Sequence, residues 1–146
     1  MKVYFIYSGG KYLPDHEKVT IKLCESVSKI ISLPNDLQCE FIDMPYSVYG
    51  GTYLNHRFTN RYRVNQNLSV KEIVRPTVHE LIHVHQLHTG RLKLMRDGTH
   101  IWDNRQYRNT DPNTLSYKEY MELPWEMDVE NRLETVLFQA IKTVDK

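Results

Sequence analysis

Apolar and polar positions change period several times along the chain, and each change marks an expected element. Val3-Tyr4-Phe5-Ile6-Tyr7 is an unbroken apolar run closed by Ser8-Gly9-Gly10, the pattern of a strand buried on both faces. From Asp15 to Leu33 the positions Val19, Leu23, Val27, Ile30 and Ile31 recur at helical spacing, Lys18, Lys22, Glu25 and Lys29 point outward, and Pro34 ends the helix. A second strand is expected over Leu37 to Met44. Tyr46 to Gln66 reads as one or two further strands around a Gly50-Gly51 turn. In the later piece Phe58, Asn60, Tyr62 and Val64 alternate with Arg57, Thr59, Arg61 and Arg63, so one face can pack while the other stays basic and wet, as suits an edge strand.

Ser69-Val70-Lys71-Glu72 is a capping-box pattern opening the next helix, which runs through Pro76 to His88 with a kink or restart expected at the proline. Leu92 to Met95 and Thr99 to Trp102 flank Asp97-Gly98, a hairpin signal. The polar stretch Asp103 to Leu115 reads as loop, and a last helical period runs from Pro124 to about Val144. With no internal repeat and no linker, these elements predict one domain over residues 1–146, whose strand-helix-strand opening suits an α/β or α+β fold.

Composition narrows the picture. With 146 residues, 40% of them apolar and 25% charged, the chain can bury a core of its own. A formal charge of +1 argues against a surface built wholly for nucleic acid, while leaving room for a local basic patch. Cys24 and Cys39 sit in unlike patterns with no leader before them, so reduced core thiols in a cytoplasmic protein are expected. No apolar run approaches the ~20 residues of a membrane span.

The chemistry concentrates in His79-Glu80-Leu81-Ile82-His83. Residues four apart on a helix lie about 40° from each other, so both imidazoles can hold one metal ion, and Glu80 is offset by roughly 100°. That offset lets its carboxylate reach water beside the same ion, the arrangement of zinc plus general base. The helix is apolar nearly all round except for the sector of Glu72, Arg75, His79, His83 and Gln86. Two imidazoles in so buried a helix need partners, and a metal supplies one. His85 falls in the apolar arc and reads as a hydrogen-bonded core histidine, and His88 as a helix-end residue. Trp102 and Trp125 read as core anchors.

A catalytic zinc needs a third protein ligand. On the last helix Leu133, Leu137, Ala140 and Val144 lie within about 40° of Glu126, and Glu130 lies at about 40°. A carboxylate on an apolar stripe is costly unless a cation compensates it. Glu126 is therefore the expected third ligand, with Glu130 accepting from a ligand imidazole, and the two roles can be exchanged. Asp128 lies on the opposite side and is the poorer candidate.

His79 to His83, followed downstream by Leu123-Pro124-Trp125-Glu126-Met127-Asp128-Val129-Glu130, resembles the zincin metallopeptidases, and within them the gluzincins, which use two histidines and a glutamate. The resemblance covers roughly Thr59 to Leu137. It implies a small sheet with an edge strand over the active-site helix, a glutamate-bearing helix beyond it, a zinc ion, and a peptide or protein substrate. Two departures stand out: Glu130 occupies the place where the better-known gluzincins carry aspartate, and the chain is much shorter than a typical secreted protease. In the mechanism expected from the motif, Glu80 takes a proton from water and a further donor stabilises the oxyanion. Tyr107, Tyr117, Tyr120 and His100 lie between the motifs, with Tyr120 favoured by its place just before Glu126 and Tyr107 next. Substrate is expected to add as a strand along Thr59 to Val64.

A second reading is a zinc-stabilised binding module without hydrolysis. Arg57, Arg61 and Arg63, with Arg91, Lys93, Arg96, Arg105 and Arg108 around Trp102 and Tyr107, would give it a basic aromatic surface for nucleic acid or protein. The near-neutral total charge favours a solvated rim instead.

Overall fold

A computed structural model describes residues 1–45, 50–52, 59–108, 110–111 and 114–144 of the chain. Strand β1 (Lys2–Tyr7), helix α1 (Pro14–Ser28) and strand β2 (Asp36–Ile42) form a parallel strand-helix-strand unit, registered from Lys2 opposite Asp36 to Tyr7 opposite Phe41. Strand β4 (Arg61–Asn65) continues the sheet parallel to β2, and the short β3 (Gly50–Thr52) pairs antiparallel to β4, giving the order β1-β2-β4-β3.

Alternation along β2 and β4 decides which side is covered. Leu37, Cys39, Phe41, Tyr62 and Val64 are buried against the helices. Their neighbours in sequence turn the other way and pair across the strands: Arg61 Nε donates to Gln38 Oε1 at 2.8 Å, and Arg63 Nε lies 3.3 Å from Glu40 Oε1. In-register polar pairs thus make up the second face of the parallel strands, where half-buried charged and amide groups satisfy one another across β2 and β4. Helices α1, α2 (Val74–His88) and α4 (Pro124–Val144) pack on one another beside the buried face, joining Leu23 and Val27, Leu81 and Ile82, and Val129 and Leu133 in one core.

A second sheet orders β5 (Leu92–Leu94), β6 (His100–Trp102) and β7 (Arg105–Tyr107) as an antiparallel meander. The turn at Asp97-Gly98 forms as expected, with Gly98 at φ 87° and the Met95 N–H donating to the Thr99 carbonyl at 2.9 Å. Leu92, Trp102, Leu87 and Trp125 make a smaller core that ties this sheet to the end of α2 and the start of α4.

Several expectations are corrected. β1 is an edge strand with Tyr4 half exposed, because aromatic residues hold such an edge without full burial. α1 stops at Ser28, and Ile30 and Ile31 both donate to the Val27 carbonyl in a closing turn, which carries their side chains to the core without further helix. Gly50-Gly51 is strand rather than turn, and β4 lies inside the sheet; β3 takes the edge that was expected at Thr59 to Val64. Tyr46, Arg57 and Phe58 lie outside the described residues. β7 crosses the expected loop because Asp103 and Asn104 adopt φ of 50° and 67°, as a two-residue hairpin turn requires. Helix α3 (Tyr117–Met121) was also not expected; its sequence signal is the capping box of Ser116 and Glu119.

Both thiols are fully buried, and Cys24 Sγ lies 3.6 Å from the Tyr62 hydroxyl. Burial pushes the Cys24 thiol up to about 12 and raises Cys39 as well. Since the thiolate is the reactive form, iodoacetamide at pH 8 is expected to label urea-unfolded chain and spare the folded one. The stability sign follows: thiols of the unfolded chain ionise near about 8.5 while the folded thiols keep their protons, so this contribution is complete below that pH and is lost as pH rises above it. Equal labelling of folded and unfolded protein would contradict the burial.

Candidate metal centre

The predicted box forms, with the Ser69 N–H donating to Glu72 Oε1 at 3.0 Å and the Glu72 N–H to Ser69 Oγ at 3.1 Å, but it closes a separate turn rather than opening the motif helix, which begins at Val74 with no side-chain cap. A hydrogen-bonded turn leads directly into Val74, and Pro76 falls in the first turn of α2, where a missing N–H costs least. Helix periodicity then sets His79, His83 and Gln86 on one side. Across from them, α4 opens at Pro124 and presents Glu126 in its first turn, where the helix dipole favours a carboxylate.

These elements bring His79, His83 and Glu126 together, each with one ligand atom within 4.8 Å of the others, the one such group of histidine, cysteine or acidic side chains among the described residues. His83 Nε2 lies 3.0 Å from Glu126 Oε1, and His79 Nε2 lies 3.7 Å from Glu126 Oε2. The two imidazole rings meet edge to face, 5.1 Å apart. Side-chain exposure is 2% for Glu126 and 4% for His83 but 27% for His79, so the cluster is closed on the α4 side and opens to solvent at His79.

Electrostatics describe a buried carboxylate held in its charged form by the imidazole beside it. Burial by itself would raise the Glu126 carboxyl, yet the His83 hydrogen bond and charge hold it below its ordinary value. Burial would lower His83, and the Glu126 carboxylate outweighs it and raises the imidazole to about 9. Burial and the neighbouring His83 take His79 down to about 4, which leaves it neutral with its lone pair available. Two imidazole nitrogens and a buried carboxylate oxygen form a donor set that suits zinc and other borderline divalent ions.

Glu80 is 5% exposed, and its charge raises both His83 and Tyr120, which places it beside the same cluster. The Tyr120 hydroxyl donates to Glu126 Oε1 at 2.9 Å, held there by the Ser116 cap of α3. Tyr120 thus meets the Glu126 carboxylate itself. Of the other donors considered, Tyr107 packs edge-on against Trp125, His100 is buried and stacked on Trp125 with Nδ1 2.7 Å from Thr110 Oγ1, and Tyr117 is exposed. Trp102 and Trp125 are buried core residues, and half-buried His85 bonds the Ser32 carbonyl at 2.7 Å.

Glu130 does not take the supporting position expected for it; it points outward and is exposed. Gln86 takes it instead, with Oε1 2.8 Å from His83 Nδ1. The sequence signal was present, since Gln86 shares the polar sector of α2 with both histidines. Asp128, assigned to the outer side of α4, is only 13% exposed at its side chain, because that side meets Gln86 and Arg91 rather than water. On the basic surface, Arg91 covers the Trp102 ring at 4.3 Å and pairs with Asp103 and Asp128, and Arg61 and Arg63 are matched to Gln38 and Glu40. Trp102 therefore offers no open ring for base stacking.

Among the described residues no helix is long and apolar enough to cross a membrane. Comparison of the chain with protein-family models, curated proteins and solved structures finds no match.

Proposed function

We propose that the chain is a zinc-dependent peptidase of the zincin kind, with His79, His83 and Glu126 as the metal ligands and Glu80 as general base. The observation that carries this reading is the convergence of two motif histidines and a carboxylate from a different helix within 4.8 Å. Support also comes from the buried Glu80 beside them and from β3, an antiparallel edge strand packed next to α2.

His79, His83 and Glu126 would hold the ion and leave room for water, and the partial exposure of His79 supports access from that side. Zinc, when bound, supplies Lewis acidity: it brings the pKa of water towards about 7 and polarises a carbonyl oxygen. The protein's own groups do the rest. An extended peptide adds to β3 as a further strand, which sets its backbone along α2. Glu80 accepts the proton of the attacking water and passes it to the leaving amine. Glu126 would offset part of the ion's charge and is oriented by the Tyr120 hydroxyl, so Tyr120 acts as a positioning residue; to stabilise an oxyanion, that hydroxyl has to leave Glu126.

The test is the metal content of the purified chain together with its coordination shell and its action on a denatured protein substrate. One zinc per chain, bound by two nitrogens and a carboxylate, with cleavage that stops on chelation and returns with zinc, is the expected outcome. A chain that takes up no metal, or that shows sulfur ligation, would refute the proposal.

A further inference from the structure

The hydrogen bonds around Gln86 leave only one assignment of its amide. Its nitrogen donates to the Trp125 carbonyl at 2.9 Å and to Asp128 Oδ2 at 2.9 Å, and both partners can only accept. Oε1 must then face His83, where it lies 2.8 Å from Nδ1. A carboxamide oxygen can only accept, so Nδ1 carries a hydrogen whatever the charge of the ring, and in the neutral ring that a metal requires the lone pair would sit on Nε2. Nε2 is the atom that points at Glu126. Gln86 is wholly buried, so water cannot supply these bonds in its place. Asp128 is itself held: Arg91 Nη1 donates to it at 3.2 Å and Arg132 Nη1 at 3.4 Å, while Arg91 is anchored on Asp103.

From this geometry we infer that Gln86 is the positioning residue of the metal centre: it fixes the tautomer and ring orientation of His83, and its own amide is aimed by Trp125 and Asp128. The inference rests on the metal site proposed above. It makes Gln86 the buried counterpart of the carboxylate that commonly supports a ligand histidine, with the difference that an amide must be told which way to face. The chain of bonds from the β5–β7 sheet through Arg91, Asp128 and Gln86 to His83 performs that orientation.

Two variants separate this role from simple bridging between α2 and α4. Gln86→Met keeps the volume and removes both functions. Gln86→Glu keeps an acceptor for His83 Nδ1 but cannot, as a carboxylate, donate to Trp125 or Asp128. Zinc affinity, measured by competition with a chromophoric chelator, is expected to fall about 10–100-fold in Gln86→Met and to return to within about threefold of the parent in Gln86→Glu. In the imidazole region of the proton–nitrogen spectrum of zinc-loaded protein, a slowly exchanging His83 Nδ1–H is expected in the parent and in Gln86→Glu, and its loss in Gln86→Met. An unchanged affinity and resonance in Gln86→Met overturn the inference, as does a Gln86→Glu protein as weak as Gln86→Met, which would mark a bridging role. If Gln86→Met does not fold, the Gln86→Glu result and the parent resonance still decide. A parent that binds zinc but cleaves no peptide sinks hydrolysis and leaves this inference to stand or fall on affinity. A parent that binds no zinc sinks both.

Discussion

Glu80→Gln is expected to lower kcat for peptide hydrolysis by about 10²–10⁴-fold, the usual contribution of a positioned general base, while zinc content stays at the parent level. Glutamine matches glutamate in volume and can still hydrogen-bond, but it cannot take a proton at working pH. Zinc is retained because the carboxylate lies about 100° round α2 from the ligand pair and is not one of the three converging donors. Glu80 is buried, and its charge is felt by His83 and Tyr120. Activity measured on single-turnover and steady-state timescales checks this, with zinc content determined on the same preparation. A Glu80→Gln protein that hydrolyses peptides at the parent rate would remove Glu80 from the mechanism.

Zinc at about a hundred times its dissociation constant should stabilise the folded chain by about 2.7 kcal/mol. For a chain of this length that corresponds to a rise in Tm of about 5–10 °C. Glu126→Ala is expected to abolish most of that rise, since it leaves two imidazoles of one helix with no ligand from α4. Glu130→Ala is expected to keep it, because Glu130 is exposed and outside the cluster. The pair of variants assigns the ligand between two acids one turn apart. Persistence of the full shift in Glu126→Ala, or its loss in Glu130→Ala, would reverse the assignment.

What the sequence made legible and what it hid divide along a physical line. The wheel of α2 grouped His79, His83 and Gln86 from spacing alone, and the apolar stripe of α4 singled out Glu126 as a carboxylate facing inward. The same wheel also put Glu130 within about 40° of Glu126 and called Asp128 an outer residue. Both readings failed because a wheel knows the direction of a side chain and not what lies there: Glu130 meets water, whereas Asp128 meets Arg91 from the second sheet and Gln86 from α2. The alternation of Tyr62 and Val64 with Arg61 and Arg63 was correct for burial, yet it suggested an edge strand. Arg61 and Arg63 instead find partners on β2 in register, so β4 can be internal with polar residues on its second face. The three residues of β3 carry two glycines, too little pattern to announce a strand.

The sequence by itself determined the periods: where helices run, which of their faces is apolar, and that two imidazoles stand one turn apart with a carboxylate beside them. Backbone geometry repeats every 3.6 or 2 residues, so this information is local and survives in any arrangement of the elements. Tertiary structure alone decided which acid closes the triad, which way the Gln86 amide faces, and which strand takes the edge of the first sheet. Those outcomes depend on contacts between distant residues, such as Gln86 with Trp125 and Asp128 or His83 with Glu126, and no local period encodes them.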